Sequence, residues 1–137
     1  MTSNVRVTKT YQASADQLWK AIGDPTNISE WHPAIASSGG EDGSRTCVLE
    51  GGGEVVEKIL SHDDSRRRYQ YSIVSSPLPI ENYVSTISVE ETGAGCEVVW
   101  DSTFEVVGAP PADVEAGIRG LYEAGLSNLA TTFGADS

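Results

Sequence analysis

The chain has 137 residues and a formal net charge of −11, with 20 Asp and Glu against 9 Lys and Arg. Because nucleic acid phosphates and anionic lipid surfaces are bound through clustered Lys and Arg, this charge argues against both partners. The length fits one domain, residues 1–137, and no apolar run approaches the roughly 20 residues of a membrane-spanning helix.

The chain begins with a predicted strand that ends near Tyr11, because apolar residues there share one face. Ser14 and Gln17 have the spacing of a capping box and predict a short helix that stops at Gly23. A second short helix is predicted up to Trp31.

Turn residues at short intervals divide the middle of the chain into strands, which we expect to be antiparallel and joined mostly by hairpins. Their predicted ranges are 35–38, 45–50, 54–61, 67–75, 81–91 and 96–106. The last of them alternates sharply, and its apolar face carries Cys96, Val98, Trp100, Ser102, Phe104 and Val106.

An amphipathic helix follows from about Pro111 to Phe133, and its apolar stripe includes Leu121 and Gly125. At about 1.5 Å per residue, this helix is long enough to span the whole sheet. The pattern therefore predicts that the sheet and the helix enclose either a solid core or a small-molecule pocket.

Several short motifs accompany this order of elements. They are Ala13–Trp19, Trp31-His32-Pro33, Glu57 with Asp63 and Tyr71, Pro77-Leu78-Pro79 before Tyr83, and Trp100 with Phe104. As a set they resemble the START/Bet v 1-like superfamily over about residues 4–133, and within it small bacterial proteins of the polyketide cyclase/dehydrase and lipid transport kind. The resemblance implies an α+β helix-grip fold, in which a curved antiparallel β-sheet wraps around a long C-terminal α-helix, with two short helices after the first strand. Proteins of one fold differ in ligand and activity, so the resemblance supports the fold more than the function.

Strand parity predicts which polar groups face inward. In the strand 54–61, Glu57 shares its face with apolar residues, so we expect it inside. In the strand 45–50, one charge falls on each face, and the direction of Arg45 stays open. Alone in an apolar cavity, Glu57 is a candidate general acid or base, whereas an ion pair with Arg45 would keep it charged and suit it to orienting a ligand.

Aromatic and hydroxyl side chains of three strands share the inward faces. They are Tyr69 and Tyr71, then Tyr83 and Ser85, then Trp100 and Ser102. Phenol and indole groups suit a ring-bearing or amphipathic ligand, but they also fill cores, and both interpretations stay open. For Gly125, close packing of the helix on the sheet is favoured over room for a ligand.

Two residues near the expected mouth and the two cysteines receive simpler interpretations. Trp31 is predicted to be mainly structural, and His32 is predicted to be a surface residue of a turn rather than a catalytic group. Cys47 and Cys96 lack a CxxC pair or a histidine cluster, so we expect buried thiols and no metal or other cofactor, with a disulfide unsupported. No secretory signal precedes Tyr11, which predicts a cytoplasmic location.

The favoured function is binding of a small hydrophobic or amphipathic molecule between the sheet and the C-terminal helix, without a cofactor. Candidate contacts are Trp31, Arg45, Glu57, Tyr71, Tyr83, Ser85, Trp100, Ser102, Leu121 and Gly125. The alternative is a polyketide cyclase/dehydrase-like enzyme that acts on an aromatic or polyketide substrate, with Glu57 as its catalytic residue. A third hypothesis is an interaction module, and monomer and homodimer both stay open.

Overall fold

A computed structural model describes residues 2–41 and 43–134 of the chain. Its elements in order are β1 (Thr2–Tyr11), α1 (Ala15–Ile22), a 3-10 helix (Pro25–Glu30), β2 (Ile35–Gly39), β3 (Ser44–Leu49), β4 (Glu54–Asp63), β5 (Arg68–Ser75), β6 (Ile80–Glu91), β7 (Cys96–Val106) and α2 (Pro111–Phe133). The predicted order of strands and helices is confirmed, and the second short helix is of the 3-10 type.

The strands form one antiparallel sheet in the order β1-β7-β6-β5-β4-β3-β2. The first and last strands pair along their whole length, from Thr2 opposite Glu105 to Tyr11 opposite Cys96. This curved sheet with a long helix across it is the predicted helix-grip fold. In the part of the chain that the structure describes, no helix has the length and apolar character needed to cross a membrane.

The two short helices lead into the loop that packs against α2. Ser14 and Gln17 form the predicted capping box, and the side chain of Asp24 caps the 3-10 helix by accepting from the Thr26 N–H. The chain then turns inward, so that Trp31 is only 5% exposed. This turn places the Trp31 ring against α2.

One stripe of α2 packs on the sheet, and hydrogen bonds from distant parts of the chain fix its position. Its buried residues are Ile118, Tyr122, Gly125, Leu126 and Leu129. The Tyr11 hydroxyl donates to the Leu126 carbonyl at 2.6 Å, and the Asn128 amide donates to the Trp31 carbonyl at 2.8 Å. The helix is therefore tied both to the first strand and to the loop that follows the 3-10 helix.

The pairing of β5 with β6 ends partway along the two strands. Their pairing runs from Arg68 opposite Ser88 to Ser72 opposite Val84 and goes no further among the described residues. A bulge in β6 follows, with Asn82 at a left-handed φ of 55°. The separated ends and the loop between them bring Leu78 to the mouth of the cavity described below.

Candidate functional site

A cavity of about 80 Å³ lies between the sheet and α2. Its rim is half-buried and apolar, and is formed by Ile35, Leu49, Ile73, Leu78 and Leu121. Its floor is buried and combines apolar residues, among them Ile28, Val55 and Ile118, with the polar or aromatic residues Arg45, Cys47, Glu57, Tyr71, Tyr83, Trp100 and Tyr122. The cavity therefore has an apolar lining whose few charged and hydroxyl groups lie among the buried residues.

An ion pair occupies one side of the floor. Nε of Arg45 donates to Oε1 of Glu57 at 2.8 Å, and the two side chains are 1% and 7% exposed. Register explains the pairing, because Arg45 of β3 lies directly opposite Glu57 of β4. The prediction that Glu57 faces inward is confirmed. Arg45, whose direction the sequence left open, also faces inward.

Further contacts hold the guanidinium in place. Nη1 of Arg45 donates to the Pro25 carbonyl at 2.9 Å and to the Tyr69 hydroxyl at 3.2 Å, and its central carbon lies 4.5 Å from the centre of the Tyr71 ring. Burial by itself works to lower the pKa of Arg45, but Tyr69 and Glu57 outweigh it and the pKa lies well above its ordinary value. The arginine is therefore a permanent cation.

One atom of each partner in this ion pair is unused. Oε1 of Glu57 accepts from Nε of Arg45 and from Sγ of Cys47 at 3.5 Å, whereas its Oε2 accepts no hydrogen bond from any described residue. Likewise, Nη2 of Arg45 donates to none of them. Both atoms retain some accessible surface, whereas the unpartnered indole nitrogen of Trp31 is fully buried. The floor thus presents one free donor and one free acceptor to the cavity.

Hydroxyl groups form a chain of hydrogen bonds on the other side of the floor. The Ser85 hydroxyl donates to the Asp101 carbonyl at 2.9 Å and lies 3.1 Å from the Tyr122 hydroxyl. The Tyr122 hydroxyl also contacts that of Tyr83, which lies 3.5 Å from the Tyr71 hydroxyl. The Trp100 indole N–H is shared between the Tyr71 hydroxyl at 3.2 Å and the Ser85 hydroxyl at 3.1 Å, and the indole ring stacks on Tyr122.

The chain has a direction, because each hydroxyl carries one proton. The Ser85 proton is used on the Asp101 carbonyl, so Tyr122 donates to Ser85 and Tyr83 donates to Tyr122. The Tyr71 proton is left with an acceptor at the limit of hydrogen-bond distance. Tyr71 therefore has a hydroxyl proton that a bound molecule can accept.

Burial keeps these phenols protonated. It raises the pKa of Tyr69 to about 12, and it raises the pKa values of Tyr71, Tyr83 and Tyr122 as well. At neutral pH these groups are hydrogen-bond donors and acceptors, and they are not bases.

His32 corrects the prediction of a surface residue, since it is 2% exposed and lines the cavity. Its Nδ1 accepts from the Ala34 N–H at 3.1 Å, so Nε2 carries the proton that bonds to the Leu121 carbonyl at 2.7 Å. Burial lowers the pKa of His32, and the charge of Arg45 lowers it further. The imidazole is a neutral link between the loop and α2, with both nitrogens occupied.

The structure brings together most of the predicted contacts but not all of them. Arg45, Glu57, Tyr71, Tyr83, Trp100 and Leu121 line the cavity. The described cavity wall does not include the other predicted contacts, which are Trp31, Ser85, Ser102 and Gly125.

Each of these four has a position beside the cavity wall that its contacts explain. Trp31 packs on Trp100 with ring centres 5.5 Å apart, and Ser85 contacts Tyr122 and Trp100 within the hydroxyl chain. Ser102 lies opposite Ser85 in the sheet and is 2% exposed. Gly125 meets Trp31 and His32, so the helix packs closely at this glycine, but against the loop after the 3-10 helix and not on the sheet as predicted.

Tyr122 is a cavity residue that sequence reasoning missed. It lies four residues after Ile118 and four before Leu126, which is the helical spacing of the buried stripe.

Within residues 2–41 and 43–134, no three His, Cys, Asp or Glu side chains converge to hold a metal ion.

The family description "polyketide cyclase / dehydrase and lipid transport" belongs to a sequence model that matches residues 2–134. The chain belongs to this family. A search among curated proteins found no significant match.

Solved structures similar to this member of the polyketide cyclase/dehydrase and lipid transport family cover nearly the whole chain. An uncharacterised protein from Bacillus thuringiensis is 28% identical, with a TM-score of 0.88 over 97% of this chain and 98% of that one. The XoxI protein from Bacillus cereus is 27% identical, with a TM-score of 0.83 over 97% of this chain and 94% of that one. Ara h 8.0201 is 18% identical, with a TM-score of 0.76 over 96% and 97% of the two chains, and it shows the shared Bet v 1-like fold alone.

Proposed function

We propose that the protein binds a small hydrophobic or amphipathic molecule in the cavity beneath α2. The observation that carries this proposal is a cavity with an apolar lining and a few buried polar groups on its floor. Binding sites for small molecules combine an apolar lining with a few polar groups that fix orientation, which is the pattern here. Membership of a family described by cyclase, dehydrase and lipid transport functions is consistent with such binding.

The size of the cavity limits what the enclosed space can hold. At about 80 Å³ it has room for a few waters, whereas sites that enclose a drug-sized molecule measure about 300–1,000 Å³. The polar end of a ligand would therefore occupy the floor, and its apolar part would lie along the rim. Movement of the Leu78 loop would widen the mouth, because β5 and β6 are not paired on either side of that loop.

Native mass spectrometry of gently purified protein, followed by extraction, tests this proposal directly. Titration with Nile red, an uncharged apolar dye, tests protein that retains nothing. Leu121→Trp would narrow the mouth and abolish retention or dye binding. Ser127→Trp, on the exposed side of the same helix, should leave both unchanged. Absence of both a retained molecule and Nile red binding in the wild type would overturn the proposal.

The second candidate is proton transfer by Glu57 in a cyclase- or dehydrase-like reaction. Glu57 is the only carboxylate among the described residues that line the cavity, and its Oε2 is free. The Tyr71 hydroxyl is a proton donor on the same floor. Turnover of a poly-β-ketone probe that is lost in Glu57→Gln but kept in the exposed control Glu54→Gln would support an enzyme. Equal turnover in Glu57→Gln would remove the proposed base.

A further inference from the structure

The floor of the cavity carries opposite charges that balance. Arg45 is a permanent cation and lies against Glu57, with Nε and Oε1 joined at 2.8 Å. Glu57 is the only carboxylate of the described lining, and Arg45 is its only guanidinium or ammonium group. An additional charge on a ligand would therefore meet a like charge whichever sign it had.

The unused atoms of the ion pair specify hydrogen bonds rather than charge. Nη2 of Arg45 lacks an acceptor and Oε2 of Glu57 lacks a donor among the described residues. The Tyr71 proton is a second weakly engaged donor on the same floor. A group that completes this set accepts from Arg45 or Tyr71 and donates to Glu57.

We infer that the ligand enters with an uncharged polar group that holds a hydrogen-bond acceptor and a donor side by side, as a carboxamide does. The carbonyl oxygen accepts from Arg45 Nη2 or the Tyr71 hydroxyl, and the N–H donates to Glu57 Oε2. This inference rests on the proposed ligand binding and adds the chemistry of the buried end. A carboxylate would instead approach the charged oxygen of Glu57, and an ammonium would approach Arg45, and each repulsion weakens binding.

Three probes with the same alkyl chain test the inference, namely octanamide, octanoate and octylamine at neutral pH. The NMR signal of the Trp100 indole N–H reports on the floor, because this group donates to Tyr71 and Ser85. The indole of Trp19 donates to Asp64 at the surface and serves as an internal control. We expect octanamide to shift the Trp100 signal and to bind at least about tenfold more tightly than either charged probe, a difference of about 1.4 kcal/mol.

A double variant, Arg45→Met with Glu57→Leu, separates head-group recognition from apolar binding. Replacing both members of a buried ion pair by apolar residues of similar size usually preserves stability, whereas removing one member does not. The double variant, checked as folded by circular dichroism, should lose the preference for octanamide over octanoate and octylamine. Octanoate or octylamine binding as tightly as octanamide to the wild type would overturn this inference alone. Failure of Nile red and of all three probes to bind would overturn the proposed function itself.

Discussion

Gly125 is the position where α2 comes closest to the loop that carries Trp31 and His32. A Cβ atom there would lie 2.6 Å from Cδ2 of His32 and 2.9 Å from Cζ3 of Trp31. Neither ring has room to move aside, since both are buried and His32 is hydrogen-bonded through both nitrogens. Gly125→Ala must therefore push the helix away from the loop.

The expected cost exceeds the gain in helix propensity. Overpacking of a core costs about 1–3 kcal/mol, and a weakened His32–Leu121 hydrogen bond adds about 0.5–1.5 kcal/mol. Alanine in place of glycine returns about 1 kcal/mol through helix propensity. We therefore expect Gly125→Ala to lower the free energy of unfolding by about 0.5–3.5 kcal/mol.

Urea unfolding followed by circular dichroism measures this change, and the same helix supplies matched controls. A Cβ at Gly117 or Gly120 meets no described atom within 4 Å. Alanine at either exposed position should therefore raise the free energy of unfolding, by up to about 1 kcal/mol. A Gly125→Ala protein as stable as the wild type, beside stabilised controls, would refute the close-packing argument.

Further predictions concern the buried polar groups. Arg45→Met should lower the free energy of unfolding by about 3–5 kcal/mol because it leaves Glu57 buried without its partner. The double variant Arg45→Met with Glu57→Leu should recover most of that loss in urea unfolding. Equal losses in the two variants would contradict this. Because the pKa of His32 is lowered in the folded protein, its neutral form contributes stability that is present above the unfolded pKa of about 6.5 and is lost as the pH falls through the folded value. An NMR titration of its ring that gives a pKa of 6.5 or higher would disprove this. All five tyrosines have pKa values raised by burial, so tyrosinate absorbance should appear only above the ordinary pKa of about 10 or when the protein unfolds; a titration near pH 10 in the folded protein would count against it.

The sheet was predictable because burial on one face leaves a period of two in the sequence. Alternation along β7 placed Trp100 on the inner face, and parity along β4 placed Glu57 there, as the structure confirms. Arg45 could not be placed by the same rule, since its own strand carries a charge on each face. Its position depends on Glu57, which lies opposite it in the register.

The burial of His32 could not be predicted, because its cause is distant in the sequence. The residue follows a short helix and precedes Pro33, a context typical of exposed turns, yet its ring bonds to the Leu121 carbonyl on α2. Tyr122 differs, since helical spacing from Ile118 already marks it as buried. Tyrosine is apolar enough to belong to such a stripe, so this position was predictable from the sequence.

The pairing of β1 with β7 also affects the order in which the protein can fold during synthesis. β1 is made before the other strands of the described sheet, but its neighbour there is β7, the last of them, with Thr2 opposite Glu105. Until β7 emerges, β1 has an unpaired edge, and Tyr11 lacks the α2 carbonyl to which it donates. We therefore expect the sheet to stay incomplete until β7 and α2 have been made, and the earlier strands to depend during that time on protection from aggregation.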